Sequence, residues 1–223
     1  MCGRYGLSQT RKQIEQAFEG LTVDFDLPRR YNIGPGQPVL GVAPAKDRKS
    51  LKAGWFDWGF ELKPEKGPFC INARCETIFE KRRFSPSVRQ RRCLLLADGF
   101  FEWEHRNQQK IPHLFRLKTQ EIFGLAAIWE KANTQNERPR CVVLTTRAND
   151  LVSPLHHRMP IILRGTQMNR WINSAAEITN QWWTEPLESD LMTTLSVSQQ
   201  VNNIHFDAPE CYQQGSLGEQ TSF

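Results

Sequence analysis

The stretch Cys93-Leu94-Leu95-Leu96-Ala97-Asp98-Gly99-Phe100-Phe101-Glu102-Trp103 lies near the middle of the chain. Its first five residues are an apolar run of strand length, which predicts a buried strand and is too short for a membrane span. Shortly after this strand, Glu102 is wedged between aromatic side chains. Burial disfavours the charged form of a carboxyl group, so Glu102 is a candidate for a raised pKa and for a general acid or base.

Patterns on both sides of this stretch predict a mixed α and β fold. Ser8 or Thr10 can cap a first helix whose apolar face carries Ile14 and Phe18. Strands are predicted near residues 38–43, 51–59, 93–97, 112–118, 121–129, 141–146, 160–163 and 193–197. Short helices are predicted near residues 76–81, 86–91, 148–153, 167–173 and 175–183.

The size and charge of the chain indicate one globular domain. With 223 residues, 39% of them hydrophobic and 24% charged, the chain can bury one well-packed core. We expect this domain to span residues 1–211, followed by a polar and flexible tail over residues 212–223. A Gly- and Pro-rich segment, residues 28–44, predicts a long loop that leads into a short strand. The net charge of +5 favours a polyanionic partner, although such an excess is common in unrelated proteins.

No apolar run in the sequence has the length of a signal peptide core or a membrane span. We therefore expect a cytoplasmic protein that makes no contact with a membrane. In that compartment the six cysteines are expected to be free thiols. A metal site is not predicted, because Cys70 and Cys75 lack the second Cys/His pair that a zinc set requires.

The amino terminus carries an unusual chemical group. A methionine that precedes a residue as small as Cys2 is normally removed, which would leave an α-amine and a thiol on one Cα. Their reference pKa values are about 7.7–8.0 and about 8.5, so both groups are partly nucleophilic near neutral pH. An aldehyde can form a Schiff base with this amine, and the thiol can then close a thiazolidine ring. The alternative is a chance cysteine in a processed tail.

Two further segments carry candidate functional side chains. In Ile71-Asn72-Ala73-Arg74-Cys75-Glu76-Thr77, the Asn72 carboxamide can orient an amine or thiol, and Arg74 shares its face if the backbone is extended. In Leu155-His156-His157-Arg158-Met159-Pro160, a histidine in a turn can donate a proton to a departing oxygen. Each residue also has a structural alternative: a turn for Asn72, a solvated face for Arg74 and for Glu102, and a buried structural role for a histidine.

These segments together resemble the SOS response-associated peptidase (SRAP) family. Six motifs occur in the family's order with sensible spacing, and the resemblance extends from residue 2 to about residue 211. They are Met1-Cys2-Gly3-Arg4-Tyr5, Arg30-Tyr31-Asn32-Ile33-Gly34-Pro35-Gly36-Gln37, Trp58-Gly59, Ile71–Thr77, Gly99–Trp103 and His156–Pro160, followed by Val197–Asn202 and Pro209-Glu210-Cys211.

The resemblance implies a function and a fold. Family members sense abasic sites in single-stranded DNA and form a covalent crosslink that shields the lesion. The implied fold is a single compact α+β domain, with a strongly curved, barrel-like mixed sheet and short flanking helices. The implied partner is single-stranded DNA that contains an abasic site. No metal or organic cofactor is implied, and we expect a monomer that associates with the nucleoid when bound to DNA.

The resemblance also implies roles for individual residues. The family's catalytic set corresponds here to Cys2, Asn72, Glu102 and His156. Because the family pattern is His-x-Arg-Met-Pro, His156 takes the role rather than His157. The DNA contacts implied by the resemblance are Arg4, Asn32, Arg74, Trp103 and Thr145.

The segment before the Asn-Ala-Arg motif departs from some relatives, which place tryptophans there as a wedge beside the lesion. This chain has Phe69 at that point, so either Phe69 substitutes or the wedge is weaker. Two other functions stay open at this stage. One is an N-terminal-nucleophile peptidase, and the other is a non-catalytic binder of single-stranded DNA in which Cys2 has no role.

Overall fold

The computed structural model describes residues 2–18, 20–45, 50–61, 69–132, 134, 137–173, 178 and 181–215. The strands are β1 (Tyr5–Leu7), β2 (Arg30–Ile33), β3 (Pro38–Pro44), β4 (Leu51–Trp58), β5 (Phe60–Glu61), β6 (Phe69–Cys70), β7 (Asn72–Arg74), β8 (Arg92–Ala97), β9 (Gly99–Arg106), β10 (Gln109–Leu117), β11 (Phe123–Glu130), β12 (Arg140–Arg147), β13 (Arg158–Pro160), β14 (Ile162–Leu163) and β15 (Met192–Ser196). The α-helices are α1 (Arg11–Ala17), α2 (Ser85–Gln90) and α3 (Thr166–Asn173). Short 3-10 helices lie at Cys75–Thr77, Ser189–Leu191, Gln199–Asn202 and Pro209–Tyr212.

The larger sheet closes into a barrel. Its strands follow the order β13-β12-β4-β3-β8-β11-β14, and β11 also pairs with β12. This extra pairing closes the strands β12, β4, β3, β8 and β11 into a ring. Leu94, Leu95 and Leu96 of β8 are all fully buried, because one face of the strand fills the barrel and the other is covered from outside. Part of this cover is Trp171 of α3, whose indole N–H donates to the Cys93 carbonyl at 2.9 Å. The predicted barrel-like α+β fold is confirmed.

The second sheet lies against the barrel in the order β15-β10-β9-β1-β2. Strands β8 and β9 belong to different sheets, and the chain passes from one to the other at the bend of Asp98. Phe100 packs into the main core, whereas Phe101 packs into a smaller cluster on the other face of the sheet. Strand β9 was not among the predicted strands, because two consecutive buried aromatics hide the alternation that marks a strand.

The carboxy-terminal segment (residues 197–215) covers this outer face of the second sheet. Val201 and Cys211 join Phe101 in the smaller cluster. The Tyr212 hydroxyl donates to the buried Asp98 carboxylate at 2.6 Å. The tail predicted over residues 212–223 therefore begins too early, since residues 212–215 pack on the fold; residues 216–223 lie outside the described part of the chain.

Most predicted elements are present with small shifts, and the exceptions have local causes. Thr10 caps α1 with a full capping box. The helix predicted near 148–153 is instead a series of turns, because the Asn149 side chain accepts the Val152 N–H at 3.0 Å and competes with helical bonding. The helix near 76–81 is reduced to the 3-10 turn Cys75–Thr77. Part of segment 28–44, predicted as loop, forms β2. Most of the helix predicted near 175–183 lies outside the described residues.

Candidate functional site

Cys2 lies between the barrel and the second sheet and is fully buried. Strand β7 runs parallel to β12 with Asn72 opposite Val143, which brings the Asn72 side chain to the start of the chain. There the Asn72 amide nitrogen donates to the Cys2 carbonyl at 3.0 Å. Asn72 Oδ1 is buried and has no hydrogen-bond partner among the described residues. The same amide that holds the Cys2 backbone therefore also presents an acceptor.

Glu102 reaches the same place from the second sheet. Strand β9 pairs with β1 through Tyr5 and Phe100, and the Phe101 N–H donates to the Arg4 carbonyl at 2.9 Å. The residue after Phe101 is thus held beside the first residues of the chain. The Glu102 side chain is well buried, with an exposed fraction of 4% for the residue.

The electrostatics of this pair follow from burial. Desolvation raises the pKa of Glu102 to about 7. Desolvation also raises the pKa of the Cys2 thiol far above its ordinary value, and the Glu102 charge raises it further. Near neutral pH the thiol is therefore protonated, while Glu102 is divided between acid and carboxylate. A carboxyl group in this state can both give and accept a proton.

His156 lies two residues before the start of β13, which flanks β12 on the side opposite β7. The Arg158 N–H donates to His156 Nδ1 at 2.9 Å, so in the neutral ring Nε2 carries the proton. Burial and nearby positive charge, including that of Arg158, lower the pKa of His156. The His156 and His157 rings stack with centroids 4.5 Å apart. His156 is therefore a neutral ring with a defined donor nitrogen.

An ion pair between a buried arginine and a half-exposed glutamate links the two motifs that carry Asn72 and His156. The Arg158 guanidinium forms two parallel bonds to the Glu76 carboxylate, at 2.6 and 2.8 Å. The pKa of Glu76 is lowered by these bonds. Neither residue carried a predicted role. The sequence does contain a signal for such a pair, because Glu76 and Arg158 carry opposite charges. Each of them lies two residues after a predicted site residue.

Arg4 and Trp103 lie together at the edge of this site. The Arg4 guanidinium carbon lies 5.6 Å from the Trp103 ring centroid, within the range of a cation–π contact. Arg4 Nη1 also donates to Asn32 Oδ1 at 2.7 Å and to the Val201 carbonyl at 2.8 Å. The Trp103 indole N–H donates to Asn202 Oδ1 at 2.7 Å. Both side chains are thus oriented by the carboxy-terminal segment, a role that the sequence did not predict for Val201 or Asn202.

Asn32 and Thr145, both predicted as DNA contacts, are fully buried. The Asn32 amide nitrogen donates to the Phe206 carbonyl at 2.7 Å and also reaches the carbonyls of Val201 and Asn203. Thr145 lies beneath Arg158, which donates to its carbonyl at 2.6 Å. In this arrangement neither side chain is exposed, and the DNA contacts expected for Asn32 and Thr145 stay predictions.

Arg74 and Phe69 are the exposed members of the predicted interface. Arg74 makes no ion pair or side-chain hydrogen bond with the described residues, and its charge faces solvent at the end of β7. Phe69 has an exposed fraction of 44%, and the Arg140 guanidinium carbon lies 5.5 Å from its ring centroid. An exposed aromatic ring beside a cation provides a surface on which a base can stack.

The described residues contain no group of three His, Cys, Asp or Glu side chains arranged to hold a metal ion. Within the same residues, no helix has the length and apolar character needed to cross a membrane. All six cysteines are free thiols.

The family of the chain follows from comparison with known proteins. The sequence profile of the SOS response associated peptidase (SRAP) family matches residues 1–204. The chain belongs to this family. The motifs that suggested the resemblance lie within the matched residues, except for Pro209-Glu210-Cys211 at the end of the domain.

Curated SRAP relatives and solved structures resemble this chain over most of its length. The abasic site processing protein YoqW of Bacillus subtilis (strain 168) is 33% identical over 224 residues, covering 94% of this chain and 98% of that protein. The abasic site processing protein YedK of Escherichia coli (strain K12) is 30% identical over 179 residues, covering 77% of this chain and 79% of that protein. A crystal structure of a protein from Bacteroides thetaiotaomicron has a TM-score of 0.75 at 23% identity, with 96% and 100% of the two chains covered. That likeness concerns the fold alone.

Proposed function

We propose that this SRAP protein captures abasic sites in single-stranded DNA as a covalent thiazolidine crosslink through Cys2. The observation that carries the proposal is the convergence of Asn72 and Glu102 on Cys2 in a chain whose curated relatives are named abasic site processing proteins. The protein acts as a monomer in the cytoplasm, at the nucleoid when DNA is bound. Its chemistry uses the side chains of this chain and the α-amine of processed Cys2.

DNA binding begins with phosphate and base contacts. Arg74, exposed and unpaired with the described residues, binds a backbone phosphate. Arg4 binds a second phosphate at the opposite wall of the site, where Trp103 stacks on a base. Phe69 takes part of the stacking that tryptophans supply in some relatives. Because none of these contacts reads a base edge, binding does not depend on sequence.

Capture starts when the sugar of the abasic site opens to its aldehyde. His156 donates a hydrogen bond from Nε2 to the sugar ring oxygen as the ring opens. The α-amine of processed Cys2, oriented by Asn72 Oδ1, adds to the aldehyde carbon and gives a carbinolamine. Glu102 in its acid form protonates the hydroxyl, which leaves as water and generates the protonated imine, with Glu102 now a carboxylate.

The thiol closes the ring in the last step. The Cys2 sulfur adds to the carbon of the protonated imine, and the thiol proton passes to the carboxylate of Glu102. The C=N π electrons return to the nitrogen, which keeps its proton. The sum is an aldehyde and an aminothiol giving a thiazolidine and one water. The raised pKa of the Cys2 thiol supports this order, because a protonated thiol leaves the first attack to the amine. Ring closure protects the imine from hydrolysis and from β-elimination of the strand.

The decisive experiment uses a single-stranded oligonucleotide with one abasic site. Wild-type protein with its methionine removed gives a band that survives heat and SDS, and prior reduction of the aldehyde with borohydride prevents it. Cys2→Ala gives no such band but keeps non-covalent binding in fluorescence anisotropy. Equal capture by Cys2→Ala would exclude the thiazolidine.

The same variant separates the two other functions. A non-catalytic binder predicts no covalent band from either protein and equal affinities for DNA. An N-terminal-nucleophile peptidase predicts Cys2-dependent cleavage of a peptide bond without a DNA adduct. Mass spectrometry of the intact protein distinguishes a DNA adduct from a cleaved chain.

A further inference from the structure

The start of β13 is tied to the end of β7 by a contact that no step of the proposed reaction uses. Arg158 has an exposed side-chain fraction of 9%, and its partner Glu76 one of 50%. Two parallel bonds at 2.6 and 2.8 Å fix the guanidinium plane against the carboxylate. A third bond, from Arg158 to the Thr145 carbonyl at 2.6 Å, anchors the same group on the intervening strand β12. The contact therefore spans three strands.

The backbone of Arg158 is at the same time the partner of the His156 ring. Its N–H donates to His156 Nδ1 at 2.9 Å, and its carbonyl lies 3.1 Å from the same nitrogen. The orientation of the imidazole thus depends on where the Arg158 backbone is held. Since the Arg158 side chain is locked to Glu76 and Thr145, any movement of this residue would move the ring.

The position of Glu76 extends this link from the His156 segment to strand β7. Glu76 follows Arg74 by two residues, in the 3-10 turn that ends β7. Asn72 and Arg74 lie on β7 itself, which pairs with Val143 and Thr145 of β12. One ion pair therefore connects the segment carrying the amine-orienting and phosphate-binding side chains to the segment carrying the imidazole.

We infer that the Glu76–Arg158 pair is a positioning device for His156: it locks the start of β13 against the end of β7 and keeps His156 with Nδ1 as acceptor and Nε2 as the proton-bearing nitrogen. This inference rests on the proposed function only for its effect on capture. The choice of tautomer is a property of the protein without DNA. Glu76 and Arg158 are positioning residues, because neither needs to touch the reacting atoms.

The test variant is Glu76→Gln, which keeps the shape and hydrogen-bonding capacity of the side chain but removes its charge. Glu76 is half exposed, so the protein is expected to fold. The matched control is Arg147→Gln. Arg147 lies directly opposite Arg158 in the register of β12 and β13 and pairs with Glu185, but both of these side chains are largely exposed.

The first measurement is the ¹⁵N NMR spectrum of the histidine rings in the free protein. Wild type and Arg147→Gln show His156 with a protonated Nε2, and Glu76→Gln shows a mixture of tautomers. The second measurement is single-turnover capture at saturating protein, where Glu76→Gln slows the reaction about 10–100-fold, the range expected when a reacting group is displaced by about 1 Å. DNA affinity changes less than about threefold, because Arg74 stays exposed.

Two outcomes would overturn the inference. One is an unchanged His156 tautomer together with an unchanged capture rate in Glu76→Gln. The other is an equal slowing by Arg147→Gln, which would indicate a general effect of surface charge. A wild-type protein that captures no abasic DNA would contradict the proposed function instead, and the NMR comparison would still test the ion pair. Arg158→Lys, which keeps the charge but loses the parallel bonds, is expected to give an intermediate rate.

Discussion

The functional side chains on the two walls of the site are oriented by different contacts. The β9 wall, made of β1, β2, β9 and the carboxy-terminal segment, orients the side chains of Arg4, Asn32 and Trp103 through amide and carbonyl groups far away in sequence. The β7 wall, made of β7, β12 and β13, orients His156 through a charged pair, Glu76 and Arg158. Side chains held by several contacts to a distant segment depend on how that whole segment packs, whereas a side chain held through one ion pair can be disturbed locally.

The walls also differ in the state of their titratable groups. On the β9 wall, burial raises the pKa of Glu102 to about 7, so its charge changes in the physiological range. On the β7 wall, hydrogen bonds from Arg158 lower the pKa of Glu76, which stays anionic at neutral pH. Near neutral pH the carboxylate charge is therefore variable at Glu102 on the β9 wall and fixed at Glu76 on the β7 wall. Substitutions in each wall should separate these two properties.

The largest effect is expected from Glu102→Gln, which removes the exchangeable proton but keeps the shape of the side chain. Capture at saturating protein should slow by roughly 10²–10⁴-fold, the usual contribution of a general acid or base, with DNA binding nearly unchanged. The wild-type rate should change slope near pH 7, and this break should vanish in the variant. A variant that loses affinity but keeps the saturated rate would make Glu102 a binding residue.

A large loss of stability is expected from Asn32→Leu on the β9 wall. The change removes an amide NH2 group that lies within hydrogen-bond distance of the carbonyls of Val201, Asn203 and Phe206, together with the acceptor of Arg4. The free energy of unfolding in urea should fall by about 2–4 kcal/mol, because buried polar groups are left unpaired. The control is Asn202→Leu, whose exposed side chain bonds the Trp103 indole. A loss of stability in Asn32→Leu no larger than in this control would contradict a stabilising role of the buried Asn32 amide.

A smaller effect, and a gain of stability instead of a loss, is expected for Glu102→Gln relative to wild type as the pH rises. The folded-state pKa of Glu102, about 7, lies above its ordinary value of 4.5, so its contribution to stability is present below pH 4.5 and is lost as the pH rises through 7. Relative to wild type, Glu102→Gln should gain about 1–3 kcal/mol between pH 5 and pH 8. Thermal unfolding of both proteins at the two pH values measures this difference. An identical offset at pH 5 and pH 8 would argue against the raised pKa.

The smallest effect is expected from Arg74→Ala on the β7 wall. Loss of one phosphate contact should flatten the slope of log affinity against log salt by about 0.7 for a single strand, while the saturated capture rate stays the same. Anisotropy across a salt series measures the slope. Arg147→Ala removes another exposed cation, one on β12 that is paired with Glu185, and it should leave the slope unchanged. Equal slopes in Arg74→Ala and wild type would remove Arg74 from the interface.

Local signals in the sequence predicted many of the elements correctly. Apolar runs such as that of β8 mark buried strands, and Thr10 with Gln13 forms the capping box of α1. Strand β9 was not predicted, because Phe100 and Phe101 are both apolar but pack into two different hydrophobic clusters. These two clusters exist only because the second sheet packs on both of its faces. The turns after Asn149 escaped because one side-chain hydrogen bond outweighs a weak helical tendency.

The sequence by itself determined which chemistry the chain can perform, since an aminothiol at Cys2, a carboxamide at Asn72 and an acid at Glu102 are properties of residue types and motifs. Only the tertiary structure decided how these groups behave. It buries Glu102 and shifts its pKa, encloses Asn32 and Thr145 behind the surface, and joins Glu76 to Arg158 across β12. Burial and hydrogen-bond partners come from segments up to about two hundred residues away, and no local pattern in the sequence carries that information.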